Sequence, residues 1–135
     1  MCGIIGYTGT HQVTEILLQG LKRLEYRGYD SSGIGVLQKK KIRVTKKSGV
    51  LARLSEAVDS SIDGTLGIAH TRWATHGGVT DANAHPHLSA GGTVAVVHNG
   101  IIDNYQEIKA ALIKREIEFA SETDSEVLAH LTEIE

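Results

Sequence analysis

The chain has 135 residues, 41% of them hydrophobic and 22% charged, which suits one globular domain with a real core. With 14 Lys and Arg against 16 Asp and Glu, and one Trp, one Phe and four Tyr, it offers neither the basic face nor the stacking platforms of a nucleic-acid binder. No apolar run approaches the ~20 residues that cross a bilayer, the start Met1-Cys2-Gly3-Ile4-Ile5-Gly6 is unlike a signal peptide, and a single Cys excludes a disulfide framework, all of which fits the cytoplasm.

Residues 4–7, Ile-Ile-Gly-Tyr, predict a short strand that ends at Gly9. The period then changes: Val13, Ile16, Leu17, Gly20, Leu21 and Leu24 fall on one face of a helix that stops near Arg27-Gly28. Residues 33–37 and 42–44 read as a strand pair around Lys39-Lys40-Lys41, a solvated turn and edge. Leu51, Leu54 and Val58 mark a short amphipathic helix, closed by Ser60-Ser61 and Asp63-Gly64. Two further strands are expected at 66–71 and 93–97. The second is continuously apolar over Val94-Ala95-Val96-Val97, as in a strand covered on both faces.

Between them, residues 73–92 have little periodicity but hold Gly77-Gly78, Asp81, Asn83, three His and the only Pro. A polar loop that long inside a compact domain is usually functional or mobile. A third helix is expected from Asp103 as N-cap, with Gln106 at N3, through Ile108, Ala111 and Leu112. A short strand at 117–120 follows. The last helix starts on the capping-box pattern Thr123-Asp124-Ser125-Glu126 and is expected to bury Val127, Leu128, Leu131 and Ile134. It reaches Glu135 with no Gly or Pro stop signal, as if the natural polypeptide continued. No repeat or low-complexity segment interrupts this mixture of strands and helices, which fits an α+β layer fold.

Cys2 is an ordinary thiol near a terminus unless Met1 is removed. Removal would place a thiol and a free α-amine on one Cα. With a pKa of roughly 7.7–8.0 the amine is partly a neutral base at neutral pH. That pairing is how N-terminal nucleophile enzymes activate their attacking group. Asn99-Gly100 follows the apolar run at 94–97. It is a common turn dipeptide, yet an Asn amide and a Gly N–H can also hold an oxyanion. Arg72 and Asp124 could take the carboxylate and ammonium ends of an α-amino acid, or serve as a surface Arg and a helix-start Asp. His70, His76, His85, His87 and His98 invite a metal reading, but no CxxC or HExxH accompanies them, and no phosphate-binding glycine motif is present.

Taken in order, these segments resemble the glutaminase domain of class II glutamine amidotransferases. The marks are Cys2-Gly3-Ile4-Ile5-Gly6, Leu24-Glu25-Tyr26-Arg27-Gly28-Tyr29-Asp30-Ser31-Ser32-Gly33 and His70-Thr71-Arg72-Trp73-Ala74-Thr75-His76-Gly77. Asn83-Ala84-His85-Pro86-His87, His98-Asn99-Gly100-Ile101-Ile102-Asp103-Asn104 and Ser121-Glu122-Thr123-Asp124 complete the set, which covers the chain from end to end. The Tyr-Arg-Gly-Tyr-Asp and His-Thr-Arg-Trp-Ala-Thr-His-Gly forms are those of the family's sugar-phosphate branch.

The resemblance implies a four-layer αββα sandwich of the N-terminal nucleophile hydrolase type, here incomplete because the family's domain is longer. Residues 1–135 would be its N-terminal portion, without the sugar-phosphate isomerase part that follows in the family. Strands 66–71 and 93–97 would then lose sheet partners. Cys2 would be the nucleophile and its amine the base, with Asn99 and Gly100 as oxyanion hole. Arg72 and Asp124 would hold the ends of glutamine, with Thr75, His76 and Gly100 as further polar contacts. Trp73 would be a lid residue on a mobile 73–79 cover, Arg27 would orient the neighbourhood of the nucleophile, and His85 and His87 would be structural. The implied activity is hydrolysis of glutamine through a thioester. The released ammonia would serve the amination of fructose 6-phosphate, with no metal or organic cofactor. Implied partners are glutamine, the isomerase part and a second copy in a homo-oligomer. The alternatives are a glutamine-binding fragment without turnover and a histidine metal protein.

Overall fold

The computed structural model describes residues 1–27, 29–75 and 77–135. Strand β1 (Gly3–Thr8) leads into helix α1 (Val13–Leu24) and a 3₁₀ turn at Glu25–Arg27. Strands β2 (Ser31–Gln38) and β3 (Lys41–Ser48) form a hairpin, followed by helix α2 (Leu51–Ala57) and strand β4 (Leu66–Arg72). Two short strands, β5 (His87–Leu88) and β6 (Ala95–Val96), precede helices α3 (Tyr105–Lys114) and α4 (Glu126–Ile134). No helix among the described residues is long and apolar enough to cross a membrane.

The first sheet is antiparallel in the order β1-β4-β2-β3. Strand alternation divides its residues between two faces. Ile34, Val36 and Ala69 join Val13, Leu17 and Leu21 of α1 and Leu51 and Leu54 of α2 in the main core. Each large side chain fully buried there contributes ~1.5–3 kcal/mol. The opposite face meets the segment around β5. Gly33 makes that approach possible, since a Cβ on it would lie 2.0 Å from the His85 carbonyl oxygen. Strands β5 and β6 pair antiparallel, α4 packs on both of them, and α3 packs on α4. The layers therefore run helix, sheet, sheet, helix, an α+β architecture.

Several expectations are corrected. Strand β4 is not an edge: it pairs with β1 on one side and β2 on the other. The strand expected at 93–97 is regular only at Ala95–Val96, and residues 94–97 are half-buried rather than covered on both faces. Its sheet offers it one neighbour, β5. The segment 117–120 is irregular. Helix α3 starts at Tyr105 after Asn104, not on an Asp103 cap, and buries Leu112 while Ala111 is exposed.

Helix α4 departs furthest from its pattern. It buries Glu126, Val127, Ala129 and His130, leaving Leu128 and Leu131 half-buried and Ile134 exposed. The capping box does not form. Glu126 accepts instead from the backbone N–H groups of Ala120 and Ser121 at 2.7 and 2.8 Å, and from the Ser121 hydroxyl. A buried carboxylate must be satisfied, and the bend before the helix supplies the donors.

The long 73–92 segment is built in. Asp81 accepts from Ser48 N–H at 2.7 Å, Ser48 Oγ at 2.9 Å and Lys47 Nζ at 3.1 Å. Residues 83–87 are buried between the sheet and α4. Glu133 of α4 likewise gathers Ser89 Oγ at 2.6 Å, Thr93 Oγ1 at 2.5 Å and Gly91 N–H at 2.9 Å, fixing the β5–β6 turn.

The β2–β3 turn carries strain. Gln38 pairs with Lys41, so Lys39 and Lys40 form a two-residue loop, with φ of 47° and 67°. Positive φ at both positions is what a type I′ turn requires, and it suits Asn-Gly far better than Lys-Lys. Left-handed backbone costs a side-chain-bearing residue roughly 1–2 kcal/mol. The double substitution Lys39→Asn, Lys40→Gly is therefore expected to raise unfolding free energy by about 1 kcal/mol, read as a higher urea midpoint at unchanged slope. An unchanged or lower midpoint contradicts this account of the turn.

Candidate active site

Three residues reach one sheet face through register alone. Gly3 stands opposite Thr71 and Ile4 opposite His70 across β1 and β4. With side chains alternating, Cys2, His70 and Arg72 share the face turned toward β5. The register is tied by Gly3 N–H donating to Thr71 Oγ1 at 3.0 Å. A narrow cleft opens there, its lining including Cys2, His70, Arg72, Trp73, Thr75 and Asp124.

Cys2 is half-buried, its Sγ accepting from Trp73 N–H at 3.1 Å and lying 3.7 Å from Trp73 O. Its carbonyl accepts from Asn99 Nδ2 at 3.2 Å. Gly100 follows with φ of 154°, and a Cβ there would lie 2.9 Å from His98 Nε2, so only glycine fits comfortably. Arg72, 4% exposed at the end of β4, donates to Gly78 O at 3.1 Å. Asp124, 3% exposed, enters from the segment before α4, and its Oδ2 accepts from Ile102 N–H at 2.8 Å. Trp73 is 54% exposed and Thr75 is also exposed. His76 lies outside the described residues.

Arg27 touches Met1 rather than Cys2. Its carbonyl accepts from the Met1 ammonium at 3.2 Å, and its Nη2 donates to Met1 Sδ at 3.3 Å.

The loop after β4 is held at both ends. Asp30 Oδ2 accepts from Ala74 N–H at 2.5 Å, and Asp30 N–H donates to Arg72 O at 2.8 Å. At the far end Asn83 Nδ2 donates to Gly78 O at 2.9 Å and to Glu122 Oε2 at 3.1 Å. Sequence reading assigned no such task to Asp30, Asn83 or Glu122. The signal available for Asp30 was its place directly before β2, beside the end of the central strand.

His70, His85 and His87 form a buried stack, and no group of three metal-ligating side chains converges among the described residues. His70 lies parallel to His85 with ring centroids 4.1 Å apart, and His85 meets His87 edge-on at 4.5 Å. His87 Nε2 bonds Thr123 Oγ1 at 2.8 Å. Burial pushes His70 down to about 4 and His87 to about 3, and pushes His85 down as well. All three are therefore neutral at pH 7.

The sequence matches the glutamine amidotransferase domain family over residues 38–134. The chain belongs to that family. It is 58% identical over 134 residues to the glutamine–fructose-6-phosphate aminotransferase (isomerizing) of Thermus thermophilus, covering 98% of this chain and 22% of that protein. The Pyrococcus horikoshii enzyme of the same name is 52% identical, with the same coverage. This amidotransferase domain thus spans about a fifth of the length of the curated relatives it matches. Among solved structures, glutamine phosphoribosylpyrophosphate amidotransferase from B. subtilis superposes with a TM-score of 0.80 at 27% identity, covering 100% of this chain and 30% of that one. The fold is accordingly that of the N-terminal nucleophile amidotransferases.

The neutral histidine stack has a consequence for stability. An unfolded chain titrates these residues near 6.5, so below that pH it binds protons that the folded state refuses. Stability is then complete above about pH 6.5 and falls as pH drops toward 4, by up to ~1.4 kcal/mol per pH unit for each histidine. Asp81, held down at about 2 by Ser48 and Lys47, gives way only at lower pH. Urea unfolding between pH 7 and 4.5 is expected to show a steadily falling midpoint. A flat profile contradicts the neutral stack.

Proposed function

We propose that this domain hydrolyses the side-chain amide of glutamine through a thioester on Cys2, as the ammonia-releasing half of an aminotransferase acting on fructose 6-phosphate. The observation that carries the reading is the meeting of Cys2, Arg72 and Asp124 on one cleft while Asn99 bonds the backbone of Cys2. A sulfur nucleophile, a guanidinium for a carboxylate and a carboxylate for an ammonium are the three groups an α-amino acid amide needs.

Loss of Met1 gives Cys2 a free α-amine, which takes the thiol proton as sulfur attacks the δ-carbonyl carbon. The oxyanion is held by the Asn99 amide and the Gly100 N–H. On collapse the C–N bond breaks, the ammonium returns its proton to the departing nitrogen, and ammonia leaves. Water then attacks the γ-glutamyl thioester, releasing glutamate and restoring the thiol. Arg72 holds the α-carboxylate and Asp124 the α-ammonium, with Thr75 and His76 as added polar contacts and Trp73 as lid. Arg27, which holds Met1 when Met1 is present, flanks the new terminus once it is gone.

Ammonia release from glutamine, measured on samples whose intact mass reports Met1, tests the reading. Chains lacking Met1 are expected to turn over and Met1-bearing chains are not; full activity with Met1 retained overturns the amine's role. Two variants divide binding from chemistry. Arg72→Ala is expected to raise KM strongly, whereas Asn99→Ala lowers kcat by roughly 10²–10³ with a smaller change in KM. Equal KM effects contradict these assignments.

A further inference from the structure

Asn99 has two amide hydrogens and one carbonyl oxygen, and a rotation by half a turn would exchange them. Its neighbours decide which way it faces. The Cys2 carbonyl can only accept, so at 3.2 Å it takes an N–H from Nδ2. That places Oδ1 against His70 Nε2 at 2.8 Å, where the ring must donate. A neutral imidazole carries one N–H, and His70, completely buried and held down to about 4, is neutral. Its proton is therefore on Nε2. The other nitrogen, Nδ1, is buried without a hydrogen bond of good geometry among the described residues, although the ring also interacts with the His98 backbone. The reversed arrangement sets Asn99 Oδ1 against the Cys2 carbonyl oxygen, two acceptors with no proton between them.

His70 is itself held. Its ring stacks on His85 at 4.1 Å with 14° between planes, and His85 Nδ1 accepts from His98 N–H at 3.3 Å. The paired rings thus grip the backbone just before Asn99 and the Asn99 side chain together.

We infer that His70 is a positioning residue for amide hydrolysis: its Nε2–H locks the Asn99 amide so that one N–H engages Cys2 and the second is presented to the oxyanion. This rests on the oxyanion role proposed above for Asn99; His70 also lines the cleft, and the role inferred for it acts through the Asn99 amide. A preoriented donor costs no reorganisation as charge develops, so its orientation is felt in kcat and not in ground-state binding.

The test compares glutamine hydrolysis by the wild-type chain lacking Met1 with His70→Phe and His70→Gln. Phe keeps the ring that stacks on His85 and removes the donor; Gln restores an N–H. His70→Phe is expected to lower kcat roughly 10- to 100-fold with KM changed less than about twofold, and His70→Gln to recover most of the loss. Wild-type kcat in His70→Phe overturns the inference, as does equal damage in both variants accompanied by a raised KM, the mark of a merely structural role. Imidazole ¹⁵N NMR at pH 7 gives a readout independent of turnover: protonated Nε2 is expected, and protonated Nδ1 overturns the assignment. A wild-type chain that releases no ammonia counts against the glutaminase reading, whereas an active wild type with an unaffected His70→Phe counts against His70 alone.

Discussion

The pairing register of β1 with β4 is the constraint on which the site depends. With Gly3 opposite Thr71, Cys2 falls on the sheet face that carries His70 and Arg72. A slip of one residue would move the sulfur to the face packed by α1 and α2, among Leu17, Leu21 and Ile34. The register is secured twice over. Ile5 and Tyr7 pack on the helical core, and Gly3 N–H bonds Thr71 Oγ1. The same alternation that buries the core on one face therefore delivers the polar groups to the other.

The second sheet face is polar, and apart from His70 Nδ1 its buried imidazole nitrogens and carboxylates have defined partners. Gly33 lets the His85 backbone lie directly on the sheet. His85 then stacks on His70, His70 reaches Asn99, and His87 reaches Thr123, one residue from Asp124. Imidazoles kept neutral by burial act here as rigid plates with fixed donors and acceptors. They tie the segments of Asn99 and Asp124 to the central sheet, although those segments lie far along the chain from β4. Glu126 does similar work for the bend at Ala120 and Ser121, which positions the start of α4 behind Asp124.

Much of this was legible in the sequence, for particular reasons. Helix α1 announces itself because Val13, Leu17 and Leu21 face one core and nothing else competes. Strand β4 was legible as a strand but not as a central one, since a single sequence does not print its neighbours. Helix α4 misled because its buried face is built from Glu126 and His130 as well as from Val127, so the apolar residues mark only part of it. Strand β5 has two residues and no period to detect. In the cleft, Cys2, Arg72, Trp73, Thr75 and Asp124 were singled out from motif order, whereas their meeting on one surface is a product of register and loop anchoring. His70 was visible only as one of several histidines. Its position two residues before Arg72 on a strand was the clue that both share a face.

The central claim is that the sulfur of Cys2, once it leads the chain, is a nucleophile facing a site shaped for glutamine. Mass spectrometry of the chain lacking Met1, after exposure to an electrophilic glutamine analogue, tests this most directly. One equivalent of label on Cys2, acquired rapidly and suppressed by added glutamine, is the expected result. Slow labelling that glutamine does not affect would contradict the account.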